Sequence, residues 1–105
     1  MLPLLAAKKA DIAALCRKHH VRRLDVFGSA ARGDFDPIRS DIDFLVEFDR
    51  SAPEAMTLHS FLGLKDSLEA LLGRQVDLVD RQAVETSRNF IRRRSILSGV
   101  EPIYG

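Results

Sequence analysis

Residues 26–33 read Val-Phe-Gly-Ser-Ala-Ala-Arg-Gly, and residues 40–46 read Ser-Asp-Ile-Asp-Phe-Leu-Val. Just before the first glycine the chain alternates as a strand does, Leu24 and Val26 facing one way and Asp25 and Phe27 the other. Gly28 follows directly, at a point where a chain turns tightly and presents backbone amides. Successive amides of this kind form an anion-binding concavity, and the Ser29 hydroxyl adds a donor for a phosphate oxygen. Gly33 lets the chain turn back toward a second strand, Asp41 to Phe48, in which Ile42, Phe44, Val46 and Phe48 share one apolar face. Asp41 and Asp43 therefore leave the opposite face together, about 6.6 Å apart along the backbone. Two like charges on one face repel, and a cation between them removes that penalty. Carboxylate oxygens are hard ligands suited to Mg²⁺, which is usually held by one or two carboxylates together with substrate phosphates.

A third acid follows from parity. Gln75 to Val79 reads as a short strand in which Val76 and Leu78 share a face, leaving Asp77 on the other. If this strand joins the same sheet, Asp77 reaches the same site, where a carboxylate can also accept the proton of an attacking hydroxyl. Asp80 competes for that place, but it lies at the strand end with the opposite parity. Taken singly, an Asp-x-Asp pair and a Gly-Ser step are commonplace at solvated strand ends and ordinary turns. Together they put a phosphate cradle and a metal site on neighbouring strand ends.

The remaining elements frame this site. Leu4 to about Lys18 reads as a helix with Pro3 in its first turn and Leu5, Ile12, Leu15 and Cys16 on one face. Ser51-Ala-Pro-Glu54 matches a capping box, and the helix after it carries Leu58, Phe61, Leu62, Leu68, Leu71 and Leu72 before stopping at Gly73. Arg88 to Ser98 is a last helix, ended by Gly99 and followed by Pro102. The order α-β-β-α-β-α predicts an α/β or α+β sandwich with a small mixed sheet of about three strands.

Composition narrows the function classes. The 105 residues suit a single domain spanning 1–105. Sixteen Lys and Arg against fifteen Asp and Glu leave a net charge of +1, which gives no reason to expect direct nucleic-acid binding. A single cysteine, Cys16, excludes an intramolecular disulfide and a Cys/His zinc site, and its place on an apolar stripe reads as core. No hydrophobic run approaches the ~20 residues of a membrane span, so a soluble cytoplasmic protein is expected. His19 and His20 close the first helix and read as caps or surface. Arg92, Arg93 and Arg94 fan across about 200° of a helix, so the simple reading is a solvated face and the sharper one a contact with an acidic partner or a triphosphate. Arg32 can reach phosphates or brace the loop through a carboxylate.

Gly28-Ser29, eleven residues, then Asp41-x-Asp43, with a later strand acid, resembles the DNA polymerase β-like nucleotidyltransferase superfamily. More narrowly, Gly-Ser-x-Ala-Arg-Gly at 28–33 and Ser-Asp-x-Asp at 40–43 are similar to the minimal nucleotidyltransferases, which pair with HEPN-domain toxins as toxin–antitoxin modules. The likeness covers nearly the whole chain. It implies the minimal nucleotidyltransferase fold, with Gly28 and Ser29 holding the triphosphate of ATP and Arg32 and Ser40 as further nucleotide-binding candidates. It also implies Asp41, Asp43 and Asp77 as catalytic ligands of Mg²⁺, two ions being expected. The reaction implied is transfer of AMP to a tyrosine of a partner HEPN ribonuclease toxin. The rival readings are an antitoxin that neutralises its partner by binding alone, and a transferase acting on RNA ends or a small molecule.

Overall fold

The apolar row Ile42, Phe44, Val46 and Phe48 sets the middle of the molecule. The computed structural model, which describes residues 2–33, 36, 41–51 and 57–105, places this row on β2 (Ile42–Phe48). On one side β2 pairs antiparallel with β1 (Val21–Phe27), and on the other it pairs parallel with β3 (Val76–Asp80). A further strand, β4 (Glu101–Tyr104), lies antiparallel to β1 and gives the order β3-β2-β1-β4. The sheet thus has four strands rather than the expected three or so. Pro102 sits in that outer strand, where a residue with no N–H to donate is tolerated.

A parallel pair cannot be joined by a tight turn, and α4 (Leu58–Leu72) makes the crossover from β2 to β3. Thr57 caps its start, Oγ1 accepting from the Ser60 amide at 3.1 Å, and Gly73 ends it in the left-handed conformation at φ 65°. Residues 52–54 of the expected capping box lie outside the described residues. The N-terminal helix is interrupted, as α1 (Pro3–Ala7) and α2 (Lys9–Lys18): Lys8 leaves helical geometry at φ −103°, ψ 11°. The described residues also form α3 (Ser29–Arg32), α5 (Arg81–Glu85) and α6 (Phe90–Leu97).

Both faces of the sheet are covered. Leu24, Val26, Ile42, Phe44, Val46, Val76, Leu78 and Ile103 meet Leu5, Ile12 and Cys16 from α1 and α2 and Leu64, Leu68 and Leu72 from α4. Burial pushes the Cys16 thiol up to about 12, so it is a core group. On the other face Leu45 packs with Val84 of α5 and Ile96 of α6, and Phe27, Val79, Leu97 and Val100 close around them. The face onto which Asp43 and Asp77 project is therefore roofed by α5 and α6 at Leu45.

Under that roof lies a carboxylate whose burial the alternation pattern does not announce. Asp25 is completely buried, and its Oδ2 accepts from Arg81 Nη2 at the start of α5, while Arg23 Nε stands 3.1 Å away. A buried charge is tolerated only when paired, and here the pairing ties α5 to the middle of β1. Arg81→Ala removes the better-buried partner, so the expected cost is about 3 kcal/mol in a urea unfolding experiment. Replacing Asp25 and Arg81 together by leucines is expected to cost less than the single change; the reverse order would show that the pair does not hold α5.

Candidate active site

The site is assembled by strand register. Phe27, the last residue of β1, pairs with Asp43 on β2, and Asp43 pairs in turn with Asp77 on β3. Neighbouring strands lie about 4.8 Å apart, so Asp43 and Asp77 stand side by side on one face. This is the end of the sheet where β1 finishes and β2 and β3 begin. Asp41 precedes β2 and is exposed.

Gly28 turns the chain out of β1 at φ 69°, ψ −150°, a conformation that only glycine adopts readily. A Cβ at this position would also meet the Oδ2 atom of Asp43, so the carboxylate could lie where it does only against a glycine. The turn runs straight into α3, whose Ala30 and Ala31 are small enough to be buried against the sheet. Within it, the amides of Ala31 and Arg32 donate to the Gly28 carbonyl at 3.1 and 3.0 Å. The ladder begins there, so the Ser29 and Ala30 amides at the head of the turn are outside it, the arrangement that favours an anion. Gly33 closes the turn at φ 92°.

A cavity of about 430 Å³ opens over these residues, lined by Phe27, Gly28, Ser29, Arg32, Asp41 and Asp43 and, from α6, by Ser95 and Ile96. That volume is in the range of small-molecule sites. Five of the seven predicted site residues thus line one cavity. Asp77 is exposed on the far side of Asp43 and does not line it. Ser40 lies outside the described residues. Asp80, the competitor to Asp77, serves the fold instead, its side chain capping α5 by accepting from the Ala83 amide at 3.3 Å.

The electrostatics follow from this crowding. Partial burial, then the charges of Asp77 and Asp41, push the Asp43 carboxyl up to about 6, with Arg32 pulling it back down. The acids are therefore close enough to repel one another, and a divalent cation would relieve them. Among the described residues no three His, Cys, Asp or Glu side chains form a ready-made metal cage. Mg²⁺ is usually held by one or two carboxylates together with waters and substrate phosphates. The donor set fits the ion, with Asp41 and Asp43 on the cavity side and Asp77 beside them.

The roof contributed residues that the motif did not indicate. Ser95 and Ile96 reach the cavity only because α6 crosses above Phe27 and Leu45. Helical spacing places them on a helix but says nothing of where that helix lies. None of the three consecutive arginines lines this cavity. Arg93 turns inward, Nη1 donating to the carbonyls of Glu85 at 3.2 Å and Ser87 at 3.5 Å, and so braces the link between α5 and α6.

Asp43 holds its proton more tightly folded than unfolded, so its favourable contribution to stability is complete at low pH and is lost as pH rises through about 6. Asp43→Asn is accordingly expected to raise Tm in EDTA at pH 7.5, with the gain shrinking toward pH 4. Melting curves across that range check it; a lower Tm for the variant at pH 7.5 would contradict the proposed repulsion.

Comparison with known proteins agrees with this geometry. Residues 12–98 match the nucleotidyltransferase domain. The chain is 39% identical over 83 residues to the protein adenylyltransferase MntA of Thermococcus cleftensis, covering 79% of this chain and 76% of that protein. A solved structure described as a candidate minimal nucleotidyltransferase superposes with a TM-score of 0.74 at 34% identity, over 97% of this chain and 96% of that one. A chain of the solved complex between a tri-AMPylated HEPN toxin of Shewanella oneidensis and its MNT antitoxin gives a TM-score of 0.62 at 18% identity over 96% of this chain and 72% of that one, a likeness of fold. A glycine turn packed on paired strand acids, in this fold and with these relatives, places the chain in the minimal nucleotidyltransferase family of nucleotidyltransferase-domain enzymes.

Proposed function

We propose that this protein is a Mg²⁺-dependent protein adenylyltransferase that moves AMP from ATP to a tyrosine of a HEPN-domain ribonuclease toxin, and thereby acts as its antitoxin. The observation that carries the reading is the packing of the Gly28 turn against Asp43, with Asp41 and Asp77 near enough to perturb that carboxyl. This puts an anion-binding turn and a cation-seeking cluster of acids within one small space. The acceptor class is supported by the adenylyltransferase relative and by the HEPN–MNT complex of the same fold.

In the proposed reaction the triphosphate lies along the turn, with backbone amides at its head, the Ser29 hydroxyl and the Arg32 guanidinium binding phosphate oxygens. Asp41, Asp43 and Asp77 would hold Mg²⁺. When bound, the metal supplies neutralisation of the triphosphate and of the departing pyrophosphate. The tyrosine oxygen attacks the α-phosphorus in line. A new O–P bond forms as the bond from that phosphorus to the bridging oxygen of the β-phosphate breaks, and pyrophosphate leaves. Asp77 is exposed beside Asp43 and takes the phenolic proton.

The test is incubation of the pure protein with α-labelled ATP, Mg²⁺ and a HEPN-domain partner protein. Label is expected on a tyrosine of the partner, reduced on the order of 100-fold or more by Asp41→Asn or Asp43→Asn. Undiminished labelling by both variants would overturn the site. A tight complex that never becomes labelled would instead identify an antitoxin that acts by binding alone.

A further inference from the structure

Phe90 and Ile91, at the start of α6, are 64% and 71% exposed. Ile96, further along the same helix, is buried against Leu45 and lines the cavity. Ile91 and Ser95 are four residues apart, which puts them on the same stripe with Cβ atoms about 5–6 Å apart. Ser95 lines the cavity with Asp41 and Asp43, so a bare apolar side chain stands one helical turn from its lip.

The charge around this patch has one sign. Residues 87–98 read Ser-Arg-Asn-Phe-Ile-Arg-Arg-Arg-Ser-Ile-Leu-Ser, with four arginines and no acid, in a chain whose net charge is only +1. Arg93 is turned inward onto backbone carbonyls, whereas Arg88, Arg92 and Arg94 are exposed. An exposed aromatic and an exposed branched aliphatic residue, with three exposed arginines within four positions of them along the chain, have the composition of a protein-binding anchor. Ile91 shares a helical stripe with Ser95, so whatever covers Ile91 is held about one helical turn from the cavity.

Resting on the adenylyltransferase reading, we propose that Phe90 and Ile91, rimmed by Arg88, Arg92 and Arg94, form the docking surface for the acceptor protein. The complementary face of the acceptor carries an apolar depression flanked by Asp or Glu side chains. Its modified hydroxyl lies about one helical turn from that depression and enters the cavity past Ser95. The acidic flanks are required by the cationic rim, and like-charged or purely apolar acceptors are refused by the same rim.

Two variants test this, Phe90→Asp with Ile91→Asp, and Arg88→Glu with Arg92→Glu and Arg94→Glu, each checked for unchanged thermal unfolding. The HEPN partner is titrated into each variant without nucleotide by calorimetry, a non-hydrolysable ATP analogue with Mg²⁺ is titrated separately, and labelling is followed at saturating ATP. Expected is a partner Kd weakened about 30-fold or more in each variant. KM for the partner rises in parallel, while kcat and analogue affinity stay at the wild-type level. Asp43→Asn run alongside separates the two readings. If it binds the partner normally but does not label it, the chemistry stands and the α6 variants report on docking alone. If it labels as wild type does, the adenylyltransferase site is wrong whatever α6 binds. Unchanged partner Kd and KM in both α6 variants would overturn the docking surface. So would a wild-type homodimer in sedimentation that Phe90→Asp with Ile91→Asp dissolves, since the patch would then be covered by a second copy.

Discussion

The Asp43 carboxylate occupies the space that a side chain at residue 28 would need. That steric exclusion links two demands otherwise met separately. The turn must be glycine to reach φ 69°, ψ −150°, and it must also be glycine for an acid to lie against its backbone. The binding turn and the acid are consequently held in contact before any ligand arrives, as a preorganised site requires. The accompanying cost is visible in the carboxyl itself, which burial and neighbouring charge drive toward its neutral form. Under the proposed reading, a cation bound beside Asp43 would offset that cost, and ligand binding would then be coupled to stability.

The rest of the fold serves to hold that contact at a sheet end. Antiparallel pairing of β1 with β2 brings Phe27 to Asp43, and the parallel pairing of β2 with β3 brings Asp77 to the same row. A large core made by α1, α2 and α4 fixes one face. The second face carries a much smaller apolar cluster, Leu45 with Val84 and Ile96. The buried pairing of Asp25 with Arg81 ties α5, part of this roof, to β1. An ion pair in such a position contributes more to placing one element on another than to net stability.

The strands β1, β2 and β3 were legible because each alternates over five or more residues, and parity gave Asp43 and Asp77 the face opposite their apolar neighbours, while the pairing of β2 with β3 is what sets them side by side. β4 was not, since Glu-Pro-Ile-Tyr is four residues long, contains a proline and owes its pairing to β1. The break at Lys8 left no mark in the apolar stripe that runs through both helices. At the site, the residues contributed by the motif were readable from type and spacing. Ser95 and Ile96 were not, because their role depends on how α6 packs, which is a tertiary fact. Asp25 shows the same limit: alternation gave its face, and nothing local announced that Arg81, fifty-six positions later, would cover it.

Cys16 gives the molecule a practical property. Its sulfur is buried and holds its proton to about 12, so thiol reagents meet almost no thiolate at neutral pH. To a maleimide or a methanethiosulfonate the native chain is effectively free of cysteine. A thiol introduced at any exposed position would then be the sole point of attachment for a spin label or a fluorophore, with no need to remove the natural residue from the core. Distances from the roof of the cavity to an approaching protein can be measured on an otherwise unaltered framework.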